Sequence, residues 1–360
     1  FTLDLIVFKD FQVEFGTSAT NYEKYNEIGG YFVKTRYITV NSDTSSGADF
    51  TGVNAIRNAI NSITDNSESN RYFLKITGHF EAKLPSDYLL NPIGPYWAMF
   101  MCKPYISLDG ISKDNCVIRA TLPDTLTACQ VDKPSFVKSD YGSYQPFFVD
   151  EMTKGSSIEI KNITFSARNT RYPLHIDGSS FNLENCDVLV ENCSIIHDGK
   201  YGDSIDTIGG SPSGFGSSSG LNMVFKNCIF GGKGNGMFYI HSNTNFANTA
   251  NIKWENCILQ NSIQNIVNGI HIESIGNGVD MNVEILGCKM QKYPWVSVYS
   301  GTSFDMADSN RMRLITDLSP LPIYYGSGST VSIGLKITSN TTTNSTVRFA
   351  TAGAFNDIVG

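Results

Sequence analysis

Charge is scarce in this chain. Lys, Arg, Asp and Glu make up 17% of its 360 residues, against about a quarter in an average soluble domain. The balance is acidic, −7 formally, with no basic run, so the electrostatic footprint of a nucleic-acid binder is missing. Also missing is any apolar stretch of about 18 residues, the length a helix needs to cross a bilayer. No H-E-x-x-H offers a zinc-ligand pair, and no G-x-S-x-G marks a nucleophile elbow. Nothing resembles a signal peptide. From its ends alone, Phe1 and Gly360, the chain is expected to be a fragment or a processed form.

What the chain does have is repetition. The phrases IEIKNITF, VLVENCSI, MVFKNCIF, IKWENCIL and VEILGCKM end at Phe165, Ile195, Phe230, Leu259 and Met290. Their corner residues Asn162, Asn192, Asn227, Asn256 and Gly287 are separated by 30, 35, 29 and 31 residues, and a period in this range marks a repeat architecture. The residues four and two before each corner are apolar: Ile158/Ile160, Val188/Val190, Met223/Phe225, Ile252/Trp254, Val283/Ile285. A period of two is a strand with one buried face. Beyond the corner the apolar set moves to the residues one and three later, as in Cys193/Ile195 and Cys228/Phe230. A strand that faces one core after such a slip has turned at the corner, and Asn and Gly enter the left-handed backbone region at least cost.

Stacked coils of about 30 residues describe an all-β fold, a right-handed single-stranded parallel β-helix. The apolar spacing is not 3.6, and abundant Asn, Ser, Thr and Gly disfavour helical solenoids. The eight cysteines invite a disulfide reading, but Cys193, Cys228, Cys257 and Cys288 share one inward position, where thiols serve as small buried hydrophobes.

Ahead of the repeats, Ile38–Val40, Gly47-Ala48-Asp49-Phe50-Thr51 and a run with apolar residues at 53, 56, 59, 60 and 63 read as strand, turn and amphipathic helix. Strands follow at 72–78 and 105–110. This opening resembles the pectinesterase and pectin-lyase-like β-helices, in which G-x-D-F-T leads into a capping helix and a K-x-Y-I-x-L-x-G strand, matched by Lys103 to Gly110. The resemblance implies a helix near 52–64 covering the open end of the apolar tube. Three regions are expected along the chain: a lead-in at 1–36, ahead of the cap, that docks to another subunit or protein, the β-helix at 37–300, and, where the rung phrase is lost, closing strands at 301–360. The pectinesterase catalytic pattern does not carry over, since the chain offers YPLHID at 172–177 and DSIDT at 203–207 in its place.

A second register carries the candidate chemistry. His175 lies 13 residues after Asn162, Asp206 lies 14 after Asn192, His241 lies 14 after Asn227 and His271 lies 15 after Asn256. Apolar neighbours bracket the histidines, which predicts one outward column, with Asp177, Asn243 and Glu273 two positions on along the same face. Adjacent rungs would hold such groups about 5 Å apart and alternate rungs about 10 Å. These distances suit paired carboxylates for glycoside cleavage, which needs roughly 5 to 9.5 Å, or a carboxylate orienting a histidine base. The alternative is a solvated polar ladder. Imidazoles and a carboxylate at His241, His271 and Asp206 also raise metal binding, but without a tight ligand motif no metal is assigned.

The long repeat holds HDGKYGDSIDTIGGSPSGFGSSSG at 197–220, with seven glycines, and is expected to bulge from the tube. Its Asp198, Lys200, Tyr201, Asp203 and Phe215, with Tyr172, Tyr239 and Asn243, supply the acids, cation and aromatic faces that grip sugar rings.

The whole pattern resembles the receptor-binding tailspikes of bacterial viruses. That resemblance implies a homotrimeric virion-tail protein, or a secreted one, working outside the cell with other tail proteins on a bacterial surface polysaccharide, without cofactor, nucleic acid or membrane insertion. The expected reaction is hydrolysis, with Asp177, Asp206 and Glu273 as acid, base or nucleophile and His175, His241 and His271 as proton-transfer partners. Deacetylation, binding alone, and a lyase drawing on Arg168, Arg171 or Lys200 are the alternatives.

Overall fold

The computed structural model describes residues 24–28, 31–90, 97–123, 144–149, 155–170, 172–176, 185–198, 213–217, 220–232, 238–242, 250–261, 270–274, 280–290, 296–300, 311–316, 321–325, 333–337, 346–351 and 354–359. The chain is a parallel β-solenoid. Each coil contributes one strand to each of three sheets, as in Ser157–Lys161, Thr164–Arg168 and Leu174–Ile176, and the next coil repeats them as Asp187–Glu191, Ser194–His197 and Ser213–Ser217. Equivalent strands pair in parallel: Ile158 with Val188, Phe165 with Ile195, Leu174 with Ser213. The solenoid ends on antiparallel pairs, Lys24–Ile28 with Tyr31–Asn41 at one end and Thr346–Thr351 with Ala354–Val359 at the other. The strand Tyr31–Asn41 runs through the expected boundary at residue 36 and pairs with Asn70–Ala82 as a rung.

The corners behave as their residue types demand. Asn162, Asn192, Asn227 and Asn256 have φ of 58, 52, 54 and 54°, and Gly287 has 64°. Asn192 Nδ2 donates to Asn162 Oδ1 at 2.7 Å, and Asn162 Nδ2 donates to Asp109 Oδ1 at 2.9 Å, so the corners are tied along the axis as well as bent. A second left-handed position opens three of the described coils, at Gly155, Asn185 and Gly220. There Ser156, Cys186 and Leu221 are turned inward and fully buried.

Inside the tube, like sits on like. Ile158, Val188, Met223, Ile252 and Val283 form one buried column, and Ile160, Val190, Phe225, Trp254 and Ile285 the next. Phe225 and Trp254 stack with ring centroids 5.4 Å apart. The cysteine column is free thiol, as are Cys102, Cys116 and Cys186. The Sγ of Cys193, Cys228, Cys257 and Cys288 lies 3.4 to 3.6 Å from the carbonyl oxygens of Ile160, Val190, Phe225 and Trp254 in the preceding coil. The carbonyls of Glu191, Lys226, Glu255 and Leu286, two residues back in the same coil, lie 3.3 to 3.6 Å from the same sulfurs, so a thiol fills the corner with a carbonyl acceptor within reach in either coil, which an alkyl group of that size could not use.

The helix Ala55–Ser62 covers the first rungs with Ala55, Ile56, Ala59 and Ile60, and Ile63 beyond it is buried too. Val53, expected on that face, is 39% exposed because it precedes the first helical turn. The residues that carried the family resemblance have definite tasks here. Asp49 accepts hydrogen bonds from the Thr39 N–H and Oγ1, each at 2.7 Å. Lys103 Nζ donates to the Ile63 carbonyl just past the helix. Gly110 is required by crowding, because a β-carbon there would lie 2.3 Å from the Asn162 carbonyl oxygen.

Two outcomes follow for stability. Asn192→Ala is expected to lower unfolding free energy by about 1–2 kcal/mol, the cost of a left-handed residue with a β-carbon and no amide, and Asn192→Gly by less; urea midpoints measure both. The second concerns pH. Burial, with a smaller push from Asp109, raises the Cys116 thiol from its ordinary 9.0 to about 12, and contact with the Cys228 thiol, followed by burial, raises Cys257 likewise. The folded state thus holds these protons more tightly, so their stabilisation is complete below pH 9 and is lost as pH climbs toward 12. The urea midpoint should fall across that window, and a constant midpoint would refute the assignment.

Candidate functional site

The third sheet positions the candidate residues. Leu174 and Ile176 are fully buried in the core, so the alternation of the strand gives His175 the opposite face. The register then runs from His175 to Gly214, Tyr239, His271 and Ser297. Two residues further along the strands, Gly216 pairs with His241, His241 with Glu273, and Glu273 with Tyr299.

This register corrects the expected single histidine column. His175 and His271 share a column, while His241 stands in the next one, beside Glu273. Counting from the corner fails because connections of different length precede Phe238–Ser242 and Ile270–Ser274, and pairing rather than chain length sets the register. The arrangement that results is a two-by-two block, with Tyr239 opposite His271 and His241 opposite Glu273 on neighbouring strands, about 5 Å apart by strand spacing.

His175 itself is not an open surface group. It is 1% exposed, and the ring of Tyr172, itself buried, lies 4.9 Å from it at a tilt of 59°. The turn before the strand folds back over the imidazole, which strand alternation could not reveal. Both residues are thus packed elements beside the block rather than groups in contact with solvent.

The glycine-rich segment is also revised. Ser213–Ser217 is a rung strand, and Phe215 pairs with Ile176 and Ile240, a column whose described member Ile176 is core. Asp198 belongs to a network on the second sheet. Its carboxylate lies 2.5 Å from Arg119 Nη2. The same guanidinium donates to Ser166 Oγ and Thr121 Oγ1 at 3.0 and 3.1 Å, and its Nε stands 3.6 Å from Glu81. Partial burial would raise the Glu81 carboxyl, but hydrogen bonds from Lys83 and Thr121 and the charges of Lys83 and Arg119 together hold it below the usual range. Asp198 is therefore held in an ion-pair network at the end of its strand rather than standing free. Asp177, Lys200, Tyr201, Asp203, Asp206 and Asn243 lie outside the described residues.

Sequence reasoning missed His197. It is fully buried in register with Ala167, and its Nε2–H donates to the Thr170 carbonyl at 2.9 Å, locking the turn between the second and third sheets. The signal was present, since His197 shares the parity of inward Ile195. Among the described residues, no three His, Cys, Asp or Glu side chains are grouped to hold a metal ion.

A scan against protein-family models matches none, and comparisons with curated proteins and with solved structures give no significant match. The fold assignment therefore rests on strand register.

His175→Ala should destabilise the protein by about 1–3 kcal/mol, as a packed aromatic pair is lost from a buried turn. Thermal unfolding checks this, and an unchanged midpoint would mean that the Tyr172 contact contributes nothing.

Proposed function

We propose that this chain recognises a bacterial surface polysaccharide and cleaves it by glycoside hydrolysis on the third sheet, with Glu273 as one reacting carboxylate. In this reading the protein works outside the cell on a virion tail. The observation that supports it is the pairing of His241 with Glu273, next to that of Tyr239 with His271. Groups able to move protons and to bond sugar hydroxyls thus share one patch of rigid sheet, where the scaffold holds their spacing. Hydrolysis calls for a second acid, and Asp177 and Asp206 are the candidates for it.

The same pairing favours a second reading, removal of ester groups from the glycan. An imidazole beside a carboxylate is the arrangement that activates water for acyl transfer. Hydrolysis would cut the chain, whereas ester removal would leave its length unchanged.

Incubation with a panel of bacterial capsule and cell-wall polysaccharides, following reducing ends, unsaturated uronate and acetate, separates these chemistries. New reducing ends are expected. Glu273→Gln should slow their release by about 10²–10⁴-fold while the polymer is still retained on a column carrying the variant. Acetate without shortening would replace hydrolysis by the ester reading, and retention with no product would reduce the protein to a glycan binder.

A further inference from the structure

The outward face of the first sheet is built in three columns. One is a chain of amides: Asn222 Nδ2 donates to Asp187 Oδ1, Asn251 to Asn222 and Asn282 to Asn251, at 2.8 to 2.9 Å. The middle column reads Glu159, Leu189, Val224, Lys253, Glu284 in register. The third alternates in sign from rung to rung: Lys75, Asp109, Lys161, Glu191, Lys226, Glu255. Between them lies a groove of about 620 Å³ whose floor includes Leu189 and Val224.

This face is self-complementary. A two-fold axis parallel to the strands, placed between Asp187–Glu191 and Asn222–Lys226, reverses the rung order and keeps each column on itself. Leu189 of one copy then meets Val224 of the other at the centre. Around it Glu159 meets Lys253, Lys161 meets Glu255 and Glu191 meets Lys226, while Asp187 meets Asn222 and Ser157 meets Asn251. Each pairing occurs twice by symmetry, as an isologous contact requires. The next rung out places Ser107 against Glu284 and Asp109 against Leu286, so no like charges oppose within these six strands. Apolar floor, polar rim and matched charge are the features of a protein–protein contact.

We propose that the first sheet is an interaction surface for a second copy of this chain, bound antiparallel about that axis. The six strands involved offer about 400 Å² per copy, roughly half of what a standard interface uses on each side. The dimer is therefore reversible, and exposed ion pairs at its rim make it sensitive to salt. The proposal is independent of the third-sheet chemistry.

Sedimentation velocity at rising protein concentration in low salt tests it. The apparent mass should double, and high salt should reverse the change. Glu159→Lys and Lys253→Glu should each weaken association by about tenfold or more, since each sets like charges together twice. An equimolar mixture of the two variants should restore dimers containing one copy of each. In such a dimer the two substituted positions face each other with opposite charge, and so do the two native ones. Thermal midpoints confirm that both variants are folded. If either unfolds, Val224→Lys at the groove floor reports the same contact, and should abolish dimers. A wild type that stays single at every concentration, a mixture that fails to recover, or a trimer indifferent to all three substitutions would overturn the proposal.

Discussion

From Asn162 to Gly287, the first and second strands of each coil meet at a left-handed corner residue that sets their register. If Asn192 adopted an ordinary extended backbone, the strand after it would keep the alternation of the strand before it, and Cys193 and Ile195 would leave the core together. With φ of 52° at that position, the parity slips by one and both strands face inward. The Asn192 amide also donates to Asn162, and the Asn162 amide to Asp109, so these coils are aligned by the element that bends them. The buried columns, the thiol ladder and the outward charge rows all inherit their alignment from this bend.

How much could be read from sequence depended on how tightly each segment is coupled to the corner. The strands on either side of Asn162 to Gly287 are joined by a bend of fixed length, so counting residues was equivalent to knowing the register. The third strand follows connections of unequal length, and counting placed His241 in the column of His271 when pairing sets it beside Glu273. Alternation gave no sign that His175 is buried beside Tyr172, because Tyr172 belongs to a turn and has no periodicity to read. The left-handed positions Gly155, Asn185 and Gly220 escaped notice for a related reason: Gly and Asn are common in loops. The charge row Lys161, Glu191, Lys226 and Glu255 stands one residue before each corner and the amide chain Asp187, Asn222, Asn251 and Asn282 one residue ahead of each phrase, outward positions that carry no apolar period to draw attention to them.

Polar groups on the described outer faces are mostly closed among themselves. On the second sheet Arg119 joins Ser166, Thr121, Glu81 and Asp198 into one network, and on the first sheet Lys161 stands between Glu159 and Glu191. Pairs of this kind add little stability individually. Their effect is mainly to avoid conflict, since strands about 4.8 Å apart would otherwise bring identical side chains against one another on every rung. Stability comes from the inner columns, and the outer ones determine what can approach.

The alternation of sign along the first sheet also limits how the solenoid can change in length. A coil contacts only its neighbours, so whole coils can in principle be duplicated or lost during evolution without disturbing the core. Removing the single coil that carries Glu191 would leave Lys161 next to Lys226, and duplicating it would set two glutamates side by side. Adding or removing coils in pairs keeps the order of Lys75, Asp109, Lys161, Glu191, Lys226 and Glu255 intact, so a pair of coils is the unit that conserves charge matching along this face.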